Sequence, residues 1–340
     1  MLIKPFIKNE EVIVLIQNVY GLNVDKISFL PLGADLNTAV YRLTTSSKAN
    51  YFLKLRRGEF REEAVKVPNH LAYLGFKQII KPLTTQAGQL WSNLGDFKVL
   101  LYPYIEGCHG MQAKLSDAKW IEFGATMRKF HSTSFPKPIL TNLQRETFTS
   151  KWGETVKIFL RLIDNETFKE PVALEMASFL KSKSKVILKL VSRSVELANF
   201  LKKQSLEYIL CHADIHAWNL HIDKEGALYI VDWDTLILAP KERDLMFIGA
   251  CIGDTGRTPK EEEALFYKGY GQTEINQDVI SYYRYIRVVE DIAEYCKQIF
   301  QSNEGCDEDR MQSFDYLQAN FLPNGTVERA FESDITLRTT

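Results

Sequence analysis

The stretch His212–Asp234, HADIHAWNLHIDKEGALYIVDWD, decides how this chain is read. Two apolar runs, YILCHADI and ALYIVDWD, end at acids. Between them NLHI-DKEG-ALYI reads as a β-hairpin with Gly226 in its turn. Such a hairpin brings Asn219, at its start, beside Asp232, at its end, and Asp214 sits on the loop leading in. An acid buried without a partner is costly, so three oxygen-bearing side chains on one hairpin edge need a cause. Magnesium supplies one. It takes one or two carboxylates and fills its shell with water and phosphate oxygens. Asn219 and Asp232 suit that incomplete shell, which leaves Asp214 to accept or orient a hydroxyl proton.

Taken singly, each residue is an ordinary turn acid or hairpin cap, and their order carries the reading. H-x-D-x-x-x-x-N is a phosphoryl-transfer pattern in which the Asp meets the substrate hydroxyl and the Asn a metal. Here it is His212, Asp214 and Asn219, and the metal Asp that follows a hairpin is the first of Asp232-Trp233-Asp234. The same chemistry asks for a strand-borne Lys on the nucleotide phosphates, held by a helix Glu. YFLKLRRG places Lys54 inside an apolar strand pattern, and Glu62 or Glu63 opens the next helical stretch. YPYIEG (102–107) follows the apolar run FKVLL and is the expected hinge, where the backbone around Tyr102, Tyr104 and Ile105 meets the adenine.

Outward from these motifs the period changes along the chain. Residues 9–20 have helical spacing, with Gly21 as the stop. KISFLPL, TAVYRLTT and NYFLKLRR read as strands of an antiparallel sheet, divided by Gly33-Ala34-Asp35 and Ser46–Asn50. EEAVKVPNHLAYLG is helical, with Pro68 expected to kink, end or begin it. Two more strands are expected around IIKPLTT and FKVLLYPYI. From about 112 to 205 and again beyond the hairpin the pattern is helical. In SYYRYIRVVEDIAEYCKQIF (281–300), Tyr282, Ile286, Val289, Ala293, Cys296 and Phe300 line one side. The last dozen or so residues carry few apolar anchors and are expected to fray.

The 340 residues exceed what one core of roughly 250–300 residues holds, so two lobes are expected. The fold class is α+β and bilobal. An N-terminal lobe over 1–104 carries an antiparallel sheet with helices; a larger, mostly helical lobe over 105–335 contains the catalytic hairpin. Lys plus Arg number 42 against 43 Asp plus Glu, which gives no electrostatic footprint for nucleic acid or an anionic membrane. Five cysteines with no CxxC speak for a reducing compartment without disulfides or a thiolate metal site. The longest apolar run of the N-terminal stretch, Val12–Ile16, is too short for a signal core or a membrane span, and a cytoplasmic protein is expected.

The stretches FLPLGADLNTAVY, YFLKLRRG, YPYIEG, CHADIHAWN, YIVDWD, LAPKERDLMFIG and SYYRYIRVVEDIAEY resemble the aminoglycoside phosphotransferase family, whose fold is similar to that of protein kinases. The resemblance covers nearly the whole chain, and the LAPKERDLMFIG and 281–295 stretches are similar to the spectinomycin-phosphorylating branch. It implies Asp214 as catalytic base, magnesium on Asn219 and Asp232, and Lys54 on the nucleotide phosphates with Glu62 rather than Glu63 in support. His212 and Asp244 would brace the catalytic loop, and Asp234 would lie near a second metal or the substrate. ATP is the implied nucleotide, with GTP an open alternative. Two departures stand out. LGADLNTA has only Gly33, so Asn37 or Thr38 would supply hydrogen bonds to phosphates. Only residues 233–243 separate Asp232 from Asp244, too few for an activation loop, so a small molecule and not a protein is the expected acceptor.

A cationic aminocyclitol needs an acidic cleft. Glu290 lies at the edge of the apolar side of 281–300 and is the expected substrate contact, with Glu294 and Asp291 further round. Trp152, Trp218 and Trp233 could wall a ring, although tryptophan is more often plain core. The alternatives are the same transfer to a choline-, homoserine- or methylthioribose-like metabolite, or a nucleotide-binding module without catalysis.

Overall fold

The computed structural model describes residues 7–33, 37–250, 252–302 and 306–334. Helix α1 (Asn9–Tyr20) buries Val12, Ile16 and Tyr20, and Gly21 ends it at φ 71° with its N–H on the Gln17 carbonyl. Strands β1 (Val24–Leu30), β2 (Thr38–Thr45) and β3 (Asn50–Arg57) form successive hairpins. Helix α2 (Glu63–Tyr73) follows, then β4 (Ser92–Leu94) and β5 (Phe97–Pro103). The sheet is antiparallel in the order β1-β2-β3-β5-β4. Tyr41, Leu43, Leu53, Leu55, Val99 and Leu101 share a core with Val12 and Ile16 of α1. Side chains alternate along a strand, so Lys54, between Leu53 and Leu55, projects from the opposite face. There it is flanked in register by Val40 and Leu100.

One expectation is corrected here and another is narrowed. The strand foreseen around 79–85 is absent; Leu83 donates once to the Leu101 carbonyl and Ile79 bridges Ile230, because Pro82 has no N–H for a ladder. The edge strand is β4 instead. Helix α2 also runs through Pro68, which leaves one carbonyl a turn back without its helical donor but does not end the helix.

The chain continues through β6 (Gly107–His109), α3 (Gly110–Ala113), α4 (Asp117–His131), α5 (Lys137–Leu140), β7 (Gln144–Arg145), α6 (Lys151–Asn165) and α7 (Pro171–Leu201). Then come β8 (Ile209–Cys211), β9 (Leu220–Asp223), β10 (Leu228–Ile230), β11 (Ile237–Ala239) and α8 (Glu242–Leu245). Helices α9 (Pro259–Tyr270), α10 (Gln277–Phe300), α11 (Asp307–Ala319) and α12 (Thr326–Ser333) complete it. The β9-β10 hairpin extends to β6, and β11 joins β8 and β7.

Helix α10 is not one-sided. From Val279 to Ile286 every side chain is buried, Tyr282, Tyr283, Arg284 and Tyr285 included, because α6, α7, α8, α11 and α12 pack around it. Buried Arg284 is satisfied by the carbonyls of Met246 and Ile248 (3.2 and 2.9 Å). The expected fraying also fails as far as Asp334. Arg193 holds that carboxylate with two bonds (2.6 and 3.1 Å), and Ser281 donates to the Ser333 carbonyl (2.8 Å). Residues 335–340 lie outside the described residues. Among the described residues no helix is long and apolar enough to cross a membrane.

Helices α4 and α9 touch backbone to backbone. A Cβ on Gly124 would collide with the Phe266 carbonyl, and one on Gly269 with the Ile121 carbonyl. Gly124→Ala is therefore expected to lower stability by about 1–3 kcal/mol, seen as a lower urea midpoint with an unchanged slope; an unchanged midpoint would contradict the contact.

Candidate active site

Strand β8 delivers His212 into the core, and the next residue, Ala213, turns left-handed at φ 67°. An L-residue there is strained by roughly 1–2 kcal/mol. The Asp244 carboxylate holds the turn, accepting from the backbone N–H groups of His212 (2.9 Å) and Ala213 (2.6 Å) and from His131 Nε2 (2.9 Å). His131 is backed in turn by the Tyr270 hydroxyl (2.8 Å). Burial would raise the Asp244 pKa, but the bond and charge of His131, with His212 and the Ala213 N–H, hold it below the usual carboxylate value. His212 spans the loop. Its Nδ1 accepts from the Asp214 N–H (3.3 Å) and its Nε2–H donates to the Val231 carbonyl (3.0 Å).

Asp214 emerges from this turn. Asn219 Nδ2 donates to its backbone carbonyl (2.8 Å) and to its Oδ2 (3.0 Å). Arg287, from α10, donates Nη1 to Oδ1 (2.7 Å), and His216 Nε2 stands 3.3 Å from the same oxygen. Burial pushes the Asp214 carboxyl up, but the charges of His216 and Arg287 outweigh it and hold the acid well below its usual range. The Val231 N–H donates to the Asn219 carbonyl (3.0 Å), which brings Asp232 alongside. Asp232 is itself left-handed (φ 62°), and its side chain is 51% exposed. With its amide nitrogen spent on Asp214, Asn219 retains Oδ1 as an acceptor. That oxygen and the open Asp232 carboxylate are the hard donors that suit magnesium. His131, Cys211 and Asp244 also cluster, within 4.8 Å. Both Asp244 oxygens there already serve hydrogen bonds, and burial pushes the Cys211 thiol well up.

Lys54 reaches this group from β3. Its ammonium bonds Asp234 Oδ2 (2.6 Å) and lies 3.4 Å from Asp232 Oδ1. Burial opposes its charge, but the two acids outweigh burial and raise its pKa. Tyr102 on β5 faces the same charges, and its phenol is pushed up by burial. The expected Lys54–Glu62 pair is not formed. Glu62 bonds Lys66 one helical turn on (2.5 Å), and Glu63 is buried with Oε1 unsatisfied. Asp234, expected near a second metal or the substrate, takes the lysine and also Arg56 (3.5 Å). Trp233 is no substrate wall either. It is 6% exposed, its ring packs on His212 and Phe130, and Nε1 donates to Ile230.

In the nucleotide loop Gly33 has φ 85°, the Asn37 carbonyl accepts from the Arg57 N–H (2.8 Å), and the Thr38 hydroxyl accepts from Arg56 (3.0 Å). Residues 34–36 of that loop lie outside the described residues. In the hinge segment the Tyr104 N–H is committed to the Asn50 carbonyl (3.1 Å), and Arg42 stacks on the Tyr104 ring. The Ile105 carbonyl accepts from His221 (3.0 Å). Glu290 is half-buried on α10. Burial raises its pKa, against the charges of Arg243 and Arg287. Sequence reading missed Arg287, His216, Arg56 and His131. Only Arg287 carried a signal, as one of two arginines, with Arg284, in the largely apolar stretch 281–289.

A model of a phosphotransferase enzyme family matches residues 28–279. No curated protein sequence matches the chain. Among solved structures, a spectinomycin phosphotransferase in complex with ADP and spectinomycin is 36% identical, with 97% of this chain and 99% of that chain covered and a TM-score of 0.89. An amicoumacin kinase in complex with AMP-PNP is 16% identical, with 94% and 95% covered and a TM-score of 0.60. A choline kinase from Streptococcus pneumoniae is 15% identical, with 98% and 100% covered and a TM-score of 0.57. These last two are likenesses of fold alone, and the fold is the expected kinase-like α+β one.

Removing Asp244 orphans two buried N–H groups. Asp244→Ala is expected to lower unfolding free energy by about 3–5 kcal/mol, measured by urea denaturation. Because the folded pKa is depressed, the ionised acid stabilises above its unfolded value of about 3.9 and stops doing so as pH falls through the folded value. The stability gap between wild type and Asp244→Asn should therefore narrow in acid; a gap independent of pH would contradict the assignment.

Proposed function

Because this chain belongs to the phosphotransferase enzyme family, and so is an ATP-dependent enzyme with an alcohol group as acceptor, we propose that it phosphorylates a hydroxyl of an aminocyclitol such as spectinomycin. The observation that carries the substrate is the 36% identity, over 97% of the chain, to a spectinomycin phosphotransferase solved with ADP and spectinomycin. The chemistry is supported by the convergence of Asp214, Asn219, Asp232 and Lys54.

In this reading residues 1–104 carry the nucleotide and residues 105–335 the acceptor. The Ile105 N–H has no acceptor among the described residues and would serve an adenine ring nitrogen, while Lys54 meets the phosphates. Asp214, ionised and fixed by three donors, takes the hydroxyl proton. Asn219 Oδ1 and Asp232 would hold magnesium, which when bound neutralises phosphate charge as the loose transition state forms. Glu290, on α10 about one turn from Arg287, would draw a cationic acceptor into the cleft.

The test is phosphate transfer from ATP to spectinomycin, beside aminoglycosides, choline, homoserine and methylthioribose. Selective turnover of spectinomycin is expected; turnover of another acceptor alone would overturn the substrate and keep the chemistry. Asp214→Ala should lower kcat by about 10²–10⁴-fold with nucleotide affinity retained. Full activity in that variant would remove Asp214 as the base. Glu290→Gln should raise KM for a cationic acceptor by about fivefold, as for one part-buried ion pair of roughly 1 kcal/mol. Since burial raises the Glu290 pKa, wild-type KM should begin to climb at a higher pH than an ordinary carboxylate dictates. The climb should vanish in Glu290→Gln, and an unchanged KM in that variant would exclude the contact.

A further inference from the structure

Arg287 stands against the base of the reaction. It leaves α10 with Nη1 on Asp214 Oδ1 (2.7 Å) and Nε 3.1 Å from Asp291 Oδ1, one turn further along the helix. Its guanidinium carbon sits 5.7 Å from the Phe247 ring centre. Asp291 Oδ2 accepts from Asn320 Nδ2 (3.4 Å), Asn320 Oδ1 accepts from Thr326 Oγ1 (2.5 Å), and the Asn320 carbonyl accepts from the Val327 N–H (3.1 Å). A line of polar contacts therefore runs from the turn between α11 and α12 to the reacting acid.

A carboxylate offers about four lone-pair sites, two on each oxygen. On Asp214, Oδ1 accepts from Arg287 Nη1 and has the His216 ring 3.3 Å away, so that side is crowded by cationic groups. Oδ2 accepts from Asn219 alone and keeps one. We propose that Arg287 is a positioning residue: it occupies Oδ1 and so presents Oδ2 to the acceptor hydroxyl, while Asp291 and Asn320 hold Arg287 in place. The inference rests on the phosphotransfer reading above. The hydroxyl gives its proton to Asp214 Oδ2 and its oxygen bonds the γ-phosphorus. The bond from that phosphorus to the β,γ-bridging oxygen breaks, and ADP leaves with the electron pair.

Full-length enzyme is assayed with ATP and whichever acceptor the wild type turns over. Arg287→Ala should lose about 100-fold in kcat, the scale of a displaced reacting group, with KM for ATP retained. Added methylguanidinium should restore part of that loss, because the cation refills the vacated space. Asp291→Asn should lose less than Arg287→Ala. If it acts through Arg287 it should cost nothing further in an Arg287→Ala background. Should Arg287→Ala fail to fold, Arg287→Lys carries the same cycle. Wild-type kcat in the Arg287 variant, no rescue by the guanidinium, or losses that add in the double variant would each overturn the proposal. A wild type that transfers phosphate to no acceptor would instead overturn the phosphotransfer reading, and this inference would fall with it.

Discussion

Two backbone N–H groups, those of His212 and Ala213, turn inward to the carboxylate of Asp244, and the loop that carries Asp214 keeps its shape through them. Ala213 is in a backbone region that L-residues enter only at a cost. Charge-assisted bonds to a buried acid are about twice as strong as neutral ones, so one carboxylate can hold a strained turn. The dependence spreads outward from there. His131, the third donor, comes from α4, and α4 is set by backbone contact with α9 at Gly124 and Gly269. A helix contact without chemistry thus fixes the position of an acid that never meets substrate.

A second constraint is Coulombic. Asp232 and Asp234 sit close together, and two unshielded carboxylates would repel. Lys54, arriving from a strand 178 residues earlier, separates them with one positive charge. This explains why Asp234 and not Glu62 receives the lysine. The hairpin end already holds excess negative charge, whereas Glu62 has Lys66 within one helical turn. It also explains why half of Asp232 stays open to solvent while Lys54 is only 15% exposed. The lysine is buried among counter-charges, and the acid keeps one side open.

The legible parts of the sequence were those whose signal is local. Helix α1, the three hairpin strands and the β9-β10 hairpin follow from periodicity and glycine placement within a dozen residues. The misread parts depended on distant partners or on a missing donor. Pro82 removed a ladder bond that the apolar run 79–85 otherwise suggested. Tyr283, Arg284 and Tyr285 fell outside the apolar side expected for 281–300, because polar tips count as surface until their partners are seen. The gathering of Asp214, Asn219 and Asp232 was visible in their order, since a hairpin enforces it. Arg287 on Asp214 was not, because 73 residues and a helix rotation decide that contact. Trp233 was misplaced for the opposite reason. Lying between two acids says nothing of which way an indole turns in a tight turn.

Helix α12 closes the fold in space and late in sequence. Arg193, on the long helix α7, waits for Asp334, 141 residues further on. Until that acid arrives, the guanidinium has only exposed Glu196 on its own helix for a counter-charge. Contacts of such separation form late, because the loop between them must close first. A nascent chain therefore carries its hairpin and Asp214 off the ribosome before the turn between α11 and α12 exists. The cleft is thus steadied only after the chain beyond α10 has been made.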